Sequence, residues 1–288
     1  MDYHAPTTLD AAVDILAGAS GDCRVLAGGT DLLVRMRSDM AHPDAVVDIK
    51  RIASLRTITE EDGGWRIGAA VCGAEMGEHA GLRAAWPGVV EAAQLIGSTQ
   101  VQGRATIVGN LCNASPAADS VPAMVAAGAL ARIAGPEGIR DVPVEEVPTG
   151  PGKTSLGHGE LVASIFLPDR AERSGDAYLR FIPRTEMDIA VAGCGVSLTL
   201  DEDGGIIRAR VALGAVGPGV MVVAEAGRML AGSHLREGGL QQLATICSAA
   251  ARPITDKRGT EHYRTHIAGV LARRAAVIAY ARAGGTLE

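Results

Sequence analysis

"TIVGNLCNASPAADSVPAM", from Thr106 to Met124, is the stretch on which the reading of this chain turns. Up to Ser115 it is crowded with small polar groups and reads as an irregular loop. An apolar helix is expected from about Pro116 to Ala127, since proline is preorganised for a first helical turn. Gly109 and Asn110 offer a close backbone approach and a side-chain amide, while Thr106 and Ser115 offer hydroxyls. Asp119 falls in the expected first turn. A carboxylate there either caps free N–H groups or accepts hydrogen bonds from sugar hydroxyls.

A second turn of the same character lies upstream. In "CRVLAGGTDLLVRMRS" a short buried strand breaks at Gly28 and Gly29, and a helix starts directly afterwards. Paired glycines let the backbone turn sharply with its N–H groups converging, which makes an anion-binding concavity. The same letters also describe a plain strand-to-helix turn. One turn suited to phosphate and one acid suited to hydroxyls together point to a nucleotide. No G-x-x-x-x-G-K-[ST] is present and no G-x-G-x-x-G follows a strand, so neither a P-loop nor a Rossmann site is supported.

Around these turns the periodicities alternate. "PTTLDAAVDILAG" is a capped amphipathic helix and "DAVVDI" a strand, closing a first α/β unit near residue 52. Strands "LRTIT" and "WRIGAAV" flank an "EEDGG" turn. Helices at "AEMGEHAGL" and "PGVVEAAQLIG" and strands at "ALARIAG" and "ELVASIFLP" complete a second unit. The polar stretch "PDRAERSGD" marks the boundary near residue 170. Beyond it, "AYLRFI", "IAVAGCGVSLTL" and "IIRARVALGAVG" form a meander, and three helices finish the chain.

Composition removes several classes. The 288 residues, 47% apolar, are ample for a buried core. No apolar run approaches the roughly 18 residues that cross a bilayer. The N-terminus carries an early acid and no basic segment, so a secretory signal is not expected and the cytoplasm is. A net charge of −6 without any Lys/Arg block argues against nucleic acid, as does the 3% aromatic content. The five cysteines are too scattered for a local metal or iron–sulfur motif and read as small core residues. Met36, Met40, Met124 and Met221 read as packing residues. His262 and His266 stand four apart on the last helix, but "HYRTH" lacks the H-E-x-x-H glutamate and reads as a solvated face.

Four blocks in this order, "AGGTDLLVRMR", "TIVGNLCNASPAADSVPAM", "RTEMDIAVAGCGVSL" and "DKRGTEHYRTHIAGVLARR", closely resemble the FAD-binding medium subunit of molybdenum hydroxylases, the family of carbon monoxide and xanthine dehydrogenases. The resemblance covers essentially the whole chain. It implies an α+β protein: an FAD-binding fold of the vanillyl-alcohol oxidase type, with α/β subdomains at 1–52 and 53–170, and a C-terminal α+β domain of sheet plus helices at 175–288. By match of position, Ala27, Gly28, Gly29, Thr30, Asp31 and Leu32 form the first cofactor loop. Thr106, Gly109 and Asn110 form the second, with Ser115 and Asp119 behind them, Asp119 accepting cofactor hydroxyls. Val162 matches a position whose backbone faces FAD, and Arg180 one where relatives often carry a lysine near the flavin.

The resemblance also implies function. FAD is held non-covalently, with no acid–base catalyst and no metal ligand on this chain. Electrons come from a small [2Fe–2S] subunit, upstream of which a large molybdenum-cofactor subunit hydroxylates the substrate. They leave to NAD, a quinone or another acceptor, and the usual assembly is a dimer of heterotrimers. Two other readings are a free-standing FAD-dependent NAD(P)H oxidoreductase and a flavin-free assembly subunit. Departures are Val108, where the family has a glycine and where positive φ would be difficult for a β-branched residue, and Arg180 in place of lysine. No cysteine-containing insertion is present, which argues against a reductase of the 4-hydroxybenzoyl-CoA type.

Overall fold

A computed structural model of the chain describes residues 1–61 and 63–287. The expected "EEDGG" turn includes Asp62, which lies outside the described residues. In the first unit β1 (Asp2–His4), α1 (Leu9–Gly18), β2 (Cys23–Leu26), α2 (Leu32–Arg37) and β3 (Ala45–Asp48) alternate, and the strands form a parallel sheet in the order β1-β3-β2. Thr8 starts α1 by accepting the Ala11 N–H on its hydroxyl, and Ala12, Val13 and Leu16 turn inward. The helix α2 buries none of its residues, and Met40 beyond it is 63% exposed, so the expected packing role of Met40 does not hold.

The second unit is built on a five-stranded antiparallel sheet. Its strands are β4 (Ile58–Glu61), β5 (Gly64–Gly68), β6 (Leu130–Gly135), β7 (Gly138–Pro143) and, after a small hairpin of β8 (Pro148–Gly150) and β9 (Lys153–Thr154), β10 (Leu161–Pro168). The order β4-β5-β10-β6-β7 brings the last strand into the middle. The helices α3 (Gly73–Glu78), α4 (Ala80–Ala85), α5 (Pro87–Gln94), α6 (Thr99–Gln102), α7 (Ile107–Cys112) and α8 (Ser120–Ala127) fill the long connection between β5 and β6. Strands β1, β7, β8 and β9 were not expected from periodicity; β7 is mostly exposed and lacks an apolar face to announce it.

The stretch from Thr106 differs from its expected form. It is a loop only over residues 113–119: before that, Thr106 caps α7, and Ile107, Val108 and Leu111 bury one face of it. Nor does the next helix begin at Pro116. It begins at Ser120, with Asp119 as the residue before it, and all eight residues of α8 are buried. The reason is tertiary. Helix α8 lies against the C-terminal sheet, and that sheet supplies glycines where the contact is tightest: a Cβ on Gly195 would fall 2.4 Å from the Pro122 carbonyl oxygen.

The C-terminal meander runs β11 (Ser174–Phe181), β12 (Ala192–Leu200), β13 (Ile206–Gly214), β14 (Met221–Val222) in sequential order. It is followed by α9 (Ala224–Leu230), α10 (Glu237–Ala250) and α11 (Glu261–Arg282). An alanine stripe on α11 (Ala268, Ala272, Ala275, Ala276 and Ala279, all fully buried) lets this 22-residue helix sit close to β11 and β12. A buried carboxylate ties the layers together. Asp176 on β11 accepts from Arg170 Nη1 (2.9 Å) and from the Val89 N–H on α5 (3.2 Å), while Arg282 on α11 bonds the Asp176 carbonyl and Glu91.

Candidate functional site: a cleft lined by backbone donors

The two turns singled out in the sequence meet. After β2 the chain passes through Ala27 and Gly28 to Gly29, which takes a left-handed φ of +77° that an L side chain rarely adopts. Gly28 is glycine for a different reason. A Cβ there would lie 2.0 Å from the carbonyl oxygen of Arg104, just before the second turn, so the backbones cross in contact. Gly29 O and Asp31 O accept from Leu33 and Arg35 to start α2. Among the described residues, the N–H groups of Gly28, Gly29, Thr30, Asp31 and Leu32 have no acceptor.

The second turn is fixed by Ala105 O, which accepts from Gly73 N (2.9 Å), and by Thr106, whose hydroxyl accepts the Gly109 N–H (2.9 Å). Val108 is helical, not left-handed, so its β-branch meets no conflict. Gly109 presents an open face: the nearest atom to a Cβ there is Thr106 Oγ1 at 3.0 Å. Asn110 spends its amide oxygen on Ser120, accepting from its N–H (3.1 Å) and hydroxyl (2.7 Å), which welds α7 to the start of α8.

Between the turns lies an open cleft of about 460 Å³. Its opposite wall is the approach to β10, where a bulge between Val162 and Ser164 re-aims the strand beside the cleft. Of the sequence-predicted residues, Ala27 to Leu32, Thr106, Gly109, Asn110 and Val162 line this space. Ile96 and the β8–β9 residues Gly152 and Thr154 line it as well and were not foreseen. Ile96 sits before Gly97, whose φ is +67°, and that glycine is the one local signal of a turn there. Cys112 is also in the wall; burial pushes its thiol up to about 12, so it offers no thiolate.

Three predicted residues are not in the lining. Ser115 accepts the Ala117 N–H in a local turn (3.3 Å). Asp119 and Arg180 form a buried ion pair instead: Arg180 Nη1 donates to Asp119 Oδ2 at 2.5 Å, and the Tyr178 hydroxyl donates to Oδ1 at 3.3 Å. Tyr178 and Arg180 are two apart on β11, so the strand aims both at the start of α8. Burial raises the Asp119 carboxyl to about 6, against the opposing pull of Arg180 and of both hydrogen bonds. His262 and His266 are exposed on α11. Among the described residues, no group of three or more His, Cys, Asp or Glu side chains is placed to hold a metal.

Gly109 facing open space, unpaired N–H groups in a row and an open cleft fit a phosphate-bearing cofactor held by main chain. Such a site, beside a helix-rich antiparallel sheet and a separate meander domain, marks a cofactor-carrying protein. Residues 1–170 match the FAD binding domain in molybdopterin dehydrogenase, and residues 177–279 match the CO dehydrogenase flavoprotein C-terminal domain. The chain therefore belongs to the family of FAD-binding medium subunits of molybdenum hydroxylases. It is 33% identical to the xanthine dehydrogenase FAD-binding subunit of Escherichia coli O157:H7, over 99% of this chain and 98% of that one. It is 34% identical to the carbon monoxide dehydrogenase medium chain of Afipia carboxidovorans, over 98% and 97%. A solved structure of reconstituted CO dehydrogenase from Oligotropha carboxidovorans contains a chain that superposes with a TM-score of 0.93, at 34% identity and 98% coverage of both chains. Among the described residues no helix is long and apolar enough to cross a membrane.

Proposed function

We propose that this chain is the electron-relaying flavoprotein of a multi-subunit molybdenum hydroxylase. The observation that carries the proposal is the run of unpaired N–H groups from Gly28 to Leu32, opening on the same cleft as Thr106, Gly109 and Asn110. In this reading Ala27–Leu32 clamp the pyrophosphate, and the start of α7 holds the ribityl chain through its own uncapped N–H groups. Val162 supports the opposite side. Bound there, FAD would supply the redox chemistry between [2Fe–2S] clusters on a small partner subunit and an acceptor such as NAD or a quinone.

The chain's own residues bind, orient and exclude water; none has to move a proton. Cys112 stays a thiol, and the Asp119–Arg180 pair stiffens the junction between α8 and β11 behind the cleft. The scattered cysteines support placing the clusters on another chain, and substrate hydroxylation on a large molybdenum-cofactor subunit, in a dimer of heterotrimers. Purified alone, the chain is expected to show a flavin spectrum and to release intact FAD on denaturation. It is expected to turn over no substrate until partner subunits are co-expressed. Colourless protein that takes up no added FAD would sink the cofactor assignment. Steady-state substrate turnover by the isolated chain, with no partner subunit present, would sink the relay.

A further inference from the structure

We infer that Lys50 is a positioning residue for the first glycine turn, acting through the carbonyl of Ala27. The parallel order β1-β3-β2 brings the ends of its strands together. Asp48, the last residue of β3 and 7% exposed, is gripped from both sides: the Tyr3 hydroxyl on β1 donates to Oδ2 (2.7 Å), and the Lys50 N–H donates to Oδ1 (3.0 Å). Lys50 Nζ, just beyond in a single 3₁₀ turn, reaches the same Oδ1 at 2.8 Å and donates to Ala27 O at 3.1 Å. Tyr3, Asp48, Lys50 and the Ala27 carbonyl therefore form one continuous chain of hydrogen bonds behind the turn.

The consequence follows from peptide geometry. A trans peptide is planar, so its carbonyl and the next N–H point in opposite directions. Lys50 does not line the cleft, whereas Ala27 and Gly28 do. Holding the Ala27 carbonyl back towards the ammonium turns the Gly28 N–H forward, at the head of the unpaired series. Removing that grip frees the glycine-rich turn to rotate its first peptide, which would aim a carbonyl oxygen at an anionic ligand. Asp48 holds the ammonium in place and neutralises it, so Lys50 acts by orienting the backbone more than by its charge.

The inference rests on the reading that this turn holds the pyrophosphate, and the test separates the two. Full-length chain is stripped of flavin, and its affinity is measured for FAD and for riboflavin, which keeps the ring but has no phosphate. Lys50→Met is expected to weaken FAD by about tenfold, the scale of one hydrogen bond to a charged group, and to leave riboflavin unchanged. Lys50→Arg, which keeps a donor, should recover most of the loss. Tyr3→Phe, which only loosens Asp48, should lower FAD affinity in the same sense by less and guards against a Lys50 variant that fails to fold. Unchanged FAD affinity in Lys50→Met, or FAD and riboflavin falling together with the apo melting temperature, would overturn the inference. Wild-type protein that binds riboflavin as tightly as FAD would instead overturn the pyrophosphate assignment, and the inference with it.

Discussion

Gly28 and Gly109 line one cleft, yet substitutions there are expected to fail in opposite ways. A Cβ on Gly28 would stand 2.0 Å from the Arg104 carbonyl oxygen. An ordinary carbon–oxygen contact is roughly 3.3 Å, so one of two backbones must retreat by about 1.3 Å. Neither can retreat cheaply, because Gly73 holds the Ala105 carbonyl and Lys50 holds that of Ala27. Overpacking of this kind costs about 1–3 kcal/mol, and an obstacle made of main chain belongs at the upper end. For a unit of about 170 residues, 3 kcal/mol lowers the melting temperature by roughly 6–12 °C. Gly28→Ala should therefore lower the apo melting temperature by that amount. Gly109→Leu meets only Thr106 Oγ1 at 3.0 Å and otherwise grows into the cleft. Its apo melting temperature should stay within about 3 °C of wild type, within the range of a mild substitution, while FAD retention is lost. The assay is thermal melting of flavin-stripped full chain, followed by FAD titration of each folded variant. A Gly28→Ala protein that melts like wild type would refute the close crossing of the turns. A Gly109→Leu protein that keeps its flavin would refute the placement of the cofactor.

Two further outcomes follow from the buried carboxylates. Asp119→Ala leaves Arg180, 6% exposed at its side chain, without its partner; a loss of about 3–5 kcal/mol is expected in chemical denaturation. Asp119→Ala/Arg180→Met should recover much of it, and equal losses in the single and double variants would show that a stranded Arg180 charge is not what Asp119→Ala exposes. Burial raises the carboxyls of both Asp119 and Asp176 to about 6, above their unfolded value of 3.8. Folding therefore takes up protons below pH 6, and each group adds about 1 kcal/mol of stability on going from pH 7 to pH 5. Below about pH 4 the trend reverses, because Asp141, Glu160 and Asp256, held low chiefly by hydrogen bonds, then lose their ionised partners' stabilisation. Urea midpoints across pH 4–8 measure this, and a midpoint that falls steadily from pH 7 to 5 would contradict it.

Much of the architecture was legible in local letters. The first turn, its strand and its helix follow from the glycine pair and from the switch between periodicities. The C-terminal meander follows from alternating runs, and the last helix from its length and its capping Thr260. The stretch from Thr106 was misread because its polar letters look irregular in isolation. Thr106 is a cap, Asn110 is a brace for Ser120, and the small residues of α8 are small because a sheet lies on them. Ile96 and the β8–β9 hairpin carry no chemical signal in the sequence; they join the cleft only because the chain returns there.

The two adjacent glycines of the first turn divide the question. Gly29 is explained by its own dihedral angle, a property of one residue that the sequence alone can announce. Gly28 has no such requirement; it is excluded from bearing a side chain by a carbonyl 76 positions further on. Asp119 and Arg180 show the same divide, since the sequence offers one as a cap or hydroxyl acceptor and the other as a cation near the flavin, and only β11 packing beside α8 makes them partners. Local geometry is written in neighbouring residues. Which backbone lies against which, and which charge meets which, is fixed only when the distant parts of the chain come together.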